Sequence, residues 1–119
     1  MQDFKKLKVW RKAHALSLNV RATAKNMRGD KDIRDQMIRA AGSVPTNIVE
    51  GRAKASEAEF CRFLKISLAS ASELEYHLLI ARDVGAMKLA DANELTAQTV
   101  EVQKMLSGLI EKIKGSPKP

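Results

Sequence analysis

Apolar residues recur three or four positions apart along nearly all of this chain, with no sustained polar–apolar alternation. A period near 3.6 builds amphipathic helices and gives a strand no continuous face to bury. The first series is Leu7, Trp10, Ala13, Leu16, Val20, Ala24 and Met27, with Asp3 as N-cap and Arg28-Gly29-Asp30 as the stop. The second, Ile33, Met37, Ala41, Val44 and Ile48, begins after Asp30 or Asp32. The third has the clearest start, because Ser56-Glu57-Ala58-Glu59 reads as a capping box. Phe60, Phe63, Leu64, Leu68, Ala71, Leu74, Leu78 and Ala81 follow, and Gly85 ends the series. Asp91-Ala92-Asn93-Glu94 repeats the box before Leu95, Val102, Met105, Leu106, Leu109, Ile110 and Ile113.

Short connections between helices favour antiparallel neighbours. The expected fold is therefore all-α, an up-down antiparallel four-helix bundle over residues 1–114, with 115–119 as a disordered C-terminal tail. The first, third and fourth helices should each exceed about 20 residues, or roughly 30 Å. Aromatic residues make up only 4% of the chain, which agrees with helix over sheet.

One segment resists this simple scheme. Arg39 to Arg52 reads RAAGSVPTNIVEGR, and places Gly42, Ser43 and Pro45 inside the second series. Pro45 has no amide to offer the carbonyl of Ala41, and its ring crowds that carbonyl. Either the helix kinks at Gly42 and Pro45, or it ends and restarts with Ser43 as cap. The kink is preferred, since Ala41, Val44 and Ile48 stay on one face. Arg39, Ser43, Asn47 and Glu50 also share a stripe, and the third helix offers Ser70, Glu73 and His77 as a facing row. Together with Arg52 these can form a buried polar network, with the arginines as forked donors and Glu50 and Glu73 as acceptors. Such a network fixes helix register and satisfies the freed carbonyl, or else it lines a ligand site.

The run RAAGSVPTNIVEGR, with FKKLKVW before it and EFCRFL after it, strongly resembles the bacterial four-helix-bundle family encoded in 23S rRNA intervening sequences. Ser70-Ala71-Ser72-Glu73-Leu74-Glu75 matches that family's Ser-x-x-Glu-Leu element. Gly42 stands where a larger aliphatic residue is more usual, and Ala69 where the family tends to have glycine. The resemblance implies a homopentamer related to the accessory variability protein of diversity-generating retroelements, with no established enzymatic activity. Its genomic setting points to nucleic acid, RNA before DNA, as the partner.

Charge adds an independent reason. The chain carries a net charge of +7, yet residues 1–30 hold eight basic and two acidic side chains, and the remainder is near balance. Lys5, Lys8, Arg11 and Lys12 form one cluster on the first helix, and Arg21, Lys25 and Arg28 form a second row. Phe4 and Trp10 interleave with the first cluster and offer rings on which bases can stack. These seven cations are the expected nucleic-acid contacts.

Catalysis has little to stand on. Single Cys61 allows neither an internal disulfide nor a cysteine-based zinc site. A di-iron bundle needs Glu-x-x-His elements, but the residue three before His77 is Leu74. No glycine-rich phosphate loop, secretory h-region or membrane-length apolar run is present. The expectation is a cytoplasmic, non-enzymatic protein without cofactor or metal, binding nucleic acid or, alternatively, serving as a scaffold for a protein partner.

Overall fold

The computed structural model describes residues 3–115, which form four α-helices and no strand. A 3₁₀ turn at Phe4–Lys6 leads into α1 (Lys8–Ala24), α2 (Lys31–Arg52), α3 (Glu57–Asp83) and α4 (Leu89–Lys114). Each helix returns beside the one before it, giving a body 54 × 21 × 20 Å. α2 packs most extensively on α3, while α1 and α4 meet over a smaller area; α1 and α3 lie across the diagonal. Leu16, Met37, Ile48, Leu64, Leu74, Leu78 and Leu106 are the largest apolar side chains sealed from solvent. Each contributes on the order of 1.5–3 kcal/mol through burial, so the apolar stripes are the main source of stability.

Several boundaries differ from the sequence expectation. α1 is 17 residues long, short of the expected twenty, because Asp3 caps the 3₁₀ turn and not the helix. The Asp3 carboxylate accepts from the Lys5 amide at 3.0 Å, and Leu7 then sits in extended backbone before α1 begins. Asp30, not Asp32, opens α2: its side chain accepts from the Ile33 amide at 3.2 Å while its own φ of 37° lies in the left-handed region. Aspartate is among the few residues that tolerate that conformation. Ser56 caps α3 as expected, accepting from the Glu59 amide at 3.1 Å, but the Glu59 carboxylate turns to Arg62 at 3.1 and 3.2 Å.

α4 starts at Leu89, so Asp91 lies within its first turn and the second capping box is not formed. Tertiary contacts set this start. Ala86 and Met87 are buried, the Ala86 amide donates to Ala81, and the Arg28 amide donates to the Ala86 carbonyl at 3.3 Å. The turn is thereby closed before Asp91 is reached. Gly115 caps the far end of α4, and residues 116–119 of the expected tail lie outside the described residues.

α2 runs through Pro45 as one uninterrupted helix, which overturns the alternative of a restart at Ser43. The carbonyls of the three residues after Ala41 each receive a side-chain donor. Thr46 Oγ1 donates to Gly42, Asn47 Nδ2 to Ser43 and Ser67 Oγ to Val44, all at 2.8 Å. Gly42 is not required by close packing, since a Cβ there meets nothing within 4 Å. Gly51 is the opposite case: a Cβ would lie 2.6 Å from Phe63 Cβ and 3.1 Å from Phe60 Cδ1.

Candidate nucleic-acid interface

The polar stripe of α2 meets α3 in two groups. Ser43 Oγ and Ser70 Oγ are 2.8 Å apart, and Asn47 Nδ2 donates to Ser43 Oγ at 3.0 Å as well as to its carbonyl. Higher up, Arg39 Nη2 pairs with Glu73 Oε2, the same oxygen that His77 Nε2 approaches at 3.2 Å. Arg39 also donates to Gln36 at 2.8 Å. The stripe is less buried than its sequence pattern suggested, with the Arg39 side chain 60% exposed. Glu50 is exposed and stands outside both groups. Arg52 lies apart from Glu73, its guanidinium 5.1 Å from the centre of the Phe60 ring. Arranged this way, the stripe joins two helices.

Ser67 is the member that the stripe pattern missed. It is fully buried, and its hydroxyl crosses from α3 to the α2 backbone. Its signal was available: Leu64, Ser67, Ala71, Leu74 and Leu78 follow one helical spacing, with a hydroxyl in the apolar row. Gly51 likewise follows Glu50 in the quoted segment, where its lack of a side chain lets Phe60 and Phe63 close on α2.

The seven cations expected to bind nucleic acid are all exposed. Lys5 lies in the 3₁₀ turn, and Arg11 Nη1 donates to its carbonyl at 3.1 Å, which draws these two charges together. Lys8 and Lys12 follow on the first turns of α1. Lys12 Nζ lies 3.6 Å from Glu101 of α4; among the described residues it is the one cation of the seven in an ion pair. Arg21 is in the last turn of α1, Lys25 caps it, and Arg28 lies in the connection to α2. The two rows therefore sit at different heights on the bundle.

The aromatic residues are already engaged. Trp10 is half-buried, stacked on His14 at 4.9 Å between ring centres and in edge contact with Phe4, also at 4.9 Å. Phe4, Trp10 and His14 thus form a local aromatic cluster that joins the 3₁₀ turn to α1. At the α2–α3 turn, Lys54 and Arg62 lie 5.2 and 4.6 Å from the centre of the Phe63 ring. The Arg62–Glu59 pair holds the Glu59 carboxyl below its ordinary range, chiefly through their hydrogen bonds, and raises Arg62 by the same contact.

His14 and His77 are on different helices, and Cys61 is buried. Among the described residues, no three His, Cys, Asp or Glu side chains form a group able to hold a metal ion. No helix among them is long and apolar enough to cross a membrane.

A family model described as 23S rRNA-intervening sequence protein matches residues 5–108. Among solved structures, the chain is similar to a protein of unknown function from the S23 ribosomal protein family of Bacteroides thetaiotaomicron. The TM-score is 0.83 at 24% identity, over 87% of this chain and 98% of that one. At that identity the likeness carries the fold alone. No curated protein matches the chain.

Proposed function

Because the chain belongs to the 23S rRNA-intervening sequence protein family, we propose that it acts without catalysis, as an oligomeric bundle in the cytoplasm that holds nucleic acid by its phosphate backbone. RNA is favoured over DNA by the family setting. The observation that carries this reading is the exposed basic set on and around α1, of which Lys12 alone is ion-paired among the described residues. Unspent surface charge of one sign is the usual footprint of backbone contacts, and such contacts carry little sequence preference. A homopentamer would place five copies of the set around one axis and convert weak contacts into avidity.

A labelled RNA should shift in a gel at low salt, with the shift fading steeply as salt rises. Absence of any shift at low salt would end the nucleic-acid reading. Light scattering should give a mass near five times 13.2 kDa; a monomeric or dimeric mass at micromolar concentration would remove the pentamer.

A protein-binding scaffold is the second reading, favoured by a specific feature of α3. Tyr76 is 60% exposed and Leu79 41% exposed beside an open cavity of about 390 Å³ between α3 and α4. An exposed aromatic next to an apolar groove is the kind of anchor that interfaces use. Retention of RNA-free protein in a stable complex with another chain, through Tyr76, would favour this reading over the first.

A further inference from the structure

Charge in this protein is sorted by the end of the bundle more than by helix. The up-down path gathers four pieces at one end: the 3₁₀ turn with the first half of α1, the second half of α2, the first half of α3 and the second half of α4. Lys5, Lys6, Lys8, Arg11 and Lys12 come from the first piece, and Arg52 and Lys54 from the end of α2 and its turn. Arg62 and Lys65 come from α3, and Lys104, Lys112 and Lys114 from α4. Those twelve cations share their half with six acids: Asp3, Glu50, Glu57, Glu59, Glu111 and, at the midpoint of α4, Glu101, which pairs with Lys12. In the other half, the described residues include eight basic and eight acidic side chains. Of the surplus that the sequence assigned to the first helix, Arg21, Lys25 and Arg28 fall in the balanced half, and the cations of Lys5 to Lys12 are joined at one end by those of the other helices.

The pieces meet in space. One cavity of about 240 Å³ at this end is lined by Leu7, Arg52, Phe60 and Leu109, drawn from each of the four. The cross-section there is about 20 Å, whereas the bundle is 54 Å long. With a Debye length of about 8 Å at physiological salt, neighbouring cations around the end reinforce one another, those on its opposite sides are largely screened, and the two ends are independent. The α3 rings help to place the charges, with Lys54 held over Phe63. Lys54 and Lys65 are exposed and have no ion pair among the described residues, whereas the charge of Arg62 is shared with Glu59.

Resting on the nucleic-acid reading above, we propose that the binding face is this end of the bundle, extended from α1 to Lys54 and Lys65, and that it takes the backbone of single-stranded RNA. The curvature of the end selects the strand type. Duplex DNA is stiff over about 150 base pairs, and a similarly stiff duplex touches a 20 Å end at few phosphates, while a single strand can turn with the cations.

The test uses a fluorescent 20-nucleotide oligouridylate, a duplex RNA of the same length, and binding read by anisotropy over a range of salt. Lys54→Gln/Lys65→Gln should lower the slope of log affinity against log salt by about 1.4, at about 0.7 per single-strand contact. Arg34→Gln/Lys88→Gln, at the opposite end, should leave the slope where it was, and the single strand should bind more tightly than the duplex. Far-UV circular dichroism checks that both variants keep their helices. An unchanged slope in the first variant, or equal losses in both, overturns the end assignment and leaves nucleic-acid binding standing. No binding of either RNA by the unaltered protein at low salt removes both. Capture by vesicles containing phosphatidylserine without binding to RNA would make the partner a lipid surface and overturn the proposal.

Discussion

Two of the seams that run along this bundle are built on different principles. Between α2 and α3 the contact is close and lined with small residues. Gly51 leaves no room for a Cβ, Ser43 and Ser70 share a hydrogen bond, and Ser67 reaches a backbone carbonyl from a fully buried position. Between α1 and α4 the polar links lie at the surface and are made by longer side chains: Asn19 to Gln98 at 2.9 Å and Lys12 to Glu101 at 3.6 Å. The first seam fixes register, because a sliding helix would strand buried hydroxyls and drive Phe63 into backbone. The second is bridged by exposed groups that water can replace, so α1 is held mainly by its apolar stripe. It is also the helix that carries the cationic surface.

The contrast is broken or sharpened most strongly at Gly51. Gly51→Ala puts a methyl group 2.6 Å from Phe63 Cβ, an atom too near the backbone to swing away. Overpacking of this kind costs about 1–3 kcal/mol. Thermal melting should fall by roughly 8 °C, at about 4 °C per kcal/mol for a domain of this size. A melting temperature unchanged in Gly51→Ala would mean that α2 and α3 can part freely. Gly42→Ala is the internal control, with open space at its Cβ and no loss expected.

Asn47→Ala comes next. It removes the donor to the Ser43 carbonyl and hydroxyl in a half-buried setting, at a cost of about 1 kcal/mol. Chemical denaturation should show a lowered midpoint with an unchanged slope, and Lys8→Ala should show neither. If Asn47→Ala instead kept full stability and lost RNA binding, the stripe would belong to a site and not to the seam.

The smallest effect is expected at Asn19→Ala, on the α1–α4 seam. Exposed hydrogen-bond partners return to water, so the change should stay within about 0.5 kcal/mol. A loss equal to that of Asn47→Ala would erase the distinction between the seams.

The same contrast explains what could be read from the sequence. The stripes that include Leu16, Ile48, Leu78 and Leu106 were legible because burial repeats every turn, and Ser56 was legible because a cap and its third neighbour are close in the chain. The start of α4 was not, because it depends on Arg28 reaching Ala86 from 58 residues away. Glu59 was misassigned for a related reason: the Arg62 guanidinium competes for its carboxylate more strongly than a backbone amide does. For the candidate interface, the sequence counted charge along α1, and only the antiparallel path brings Lys54, Lys65 and Lys114 to the same end. The stacking of Trp10 on His14 depended on rotamers as well as on four-residue spacing.

The hydroxyl of Ser67 has a consequence for how this chain can vary. It binds the carbonyl of Val44, and every amino acid at position 44 would present that carbonyl. Recognition therefore runs one way: the backbone is read, and the side chain that happens to hang from it is not. Substitutions at position 44 are filtered by burial in the core and by the proline that follows, not by this hydrogen bond, whereas position 67 must supply a short donor. In a saturation library the two positions, although in direct contact, should show unequal tolerance and no pairwise covariation.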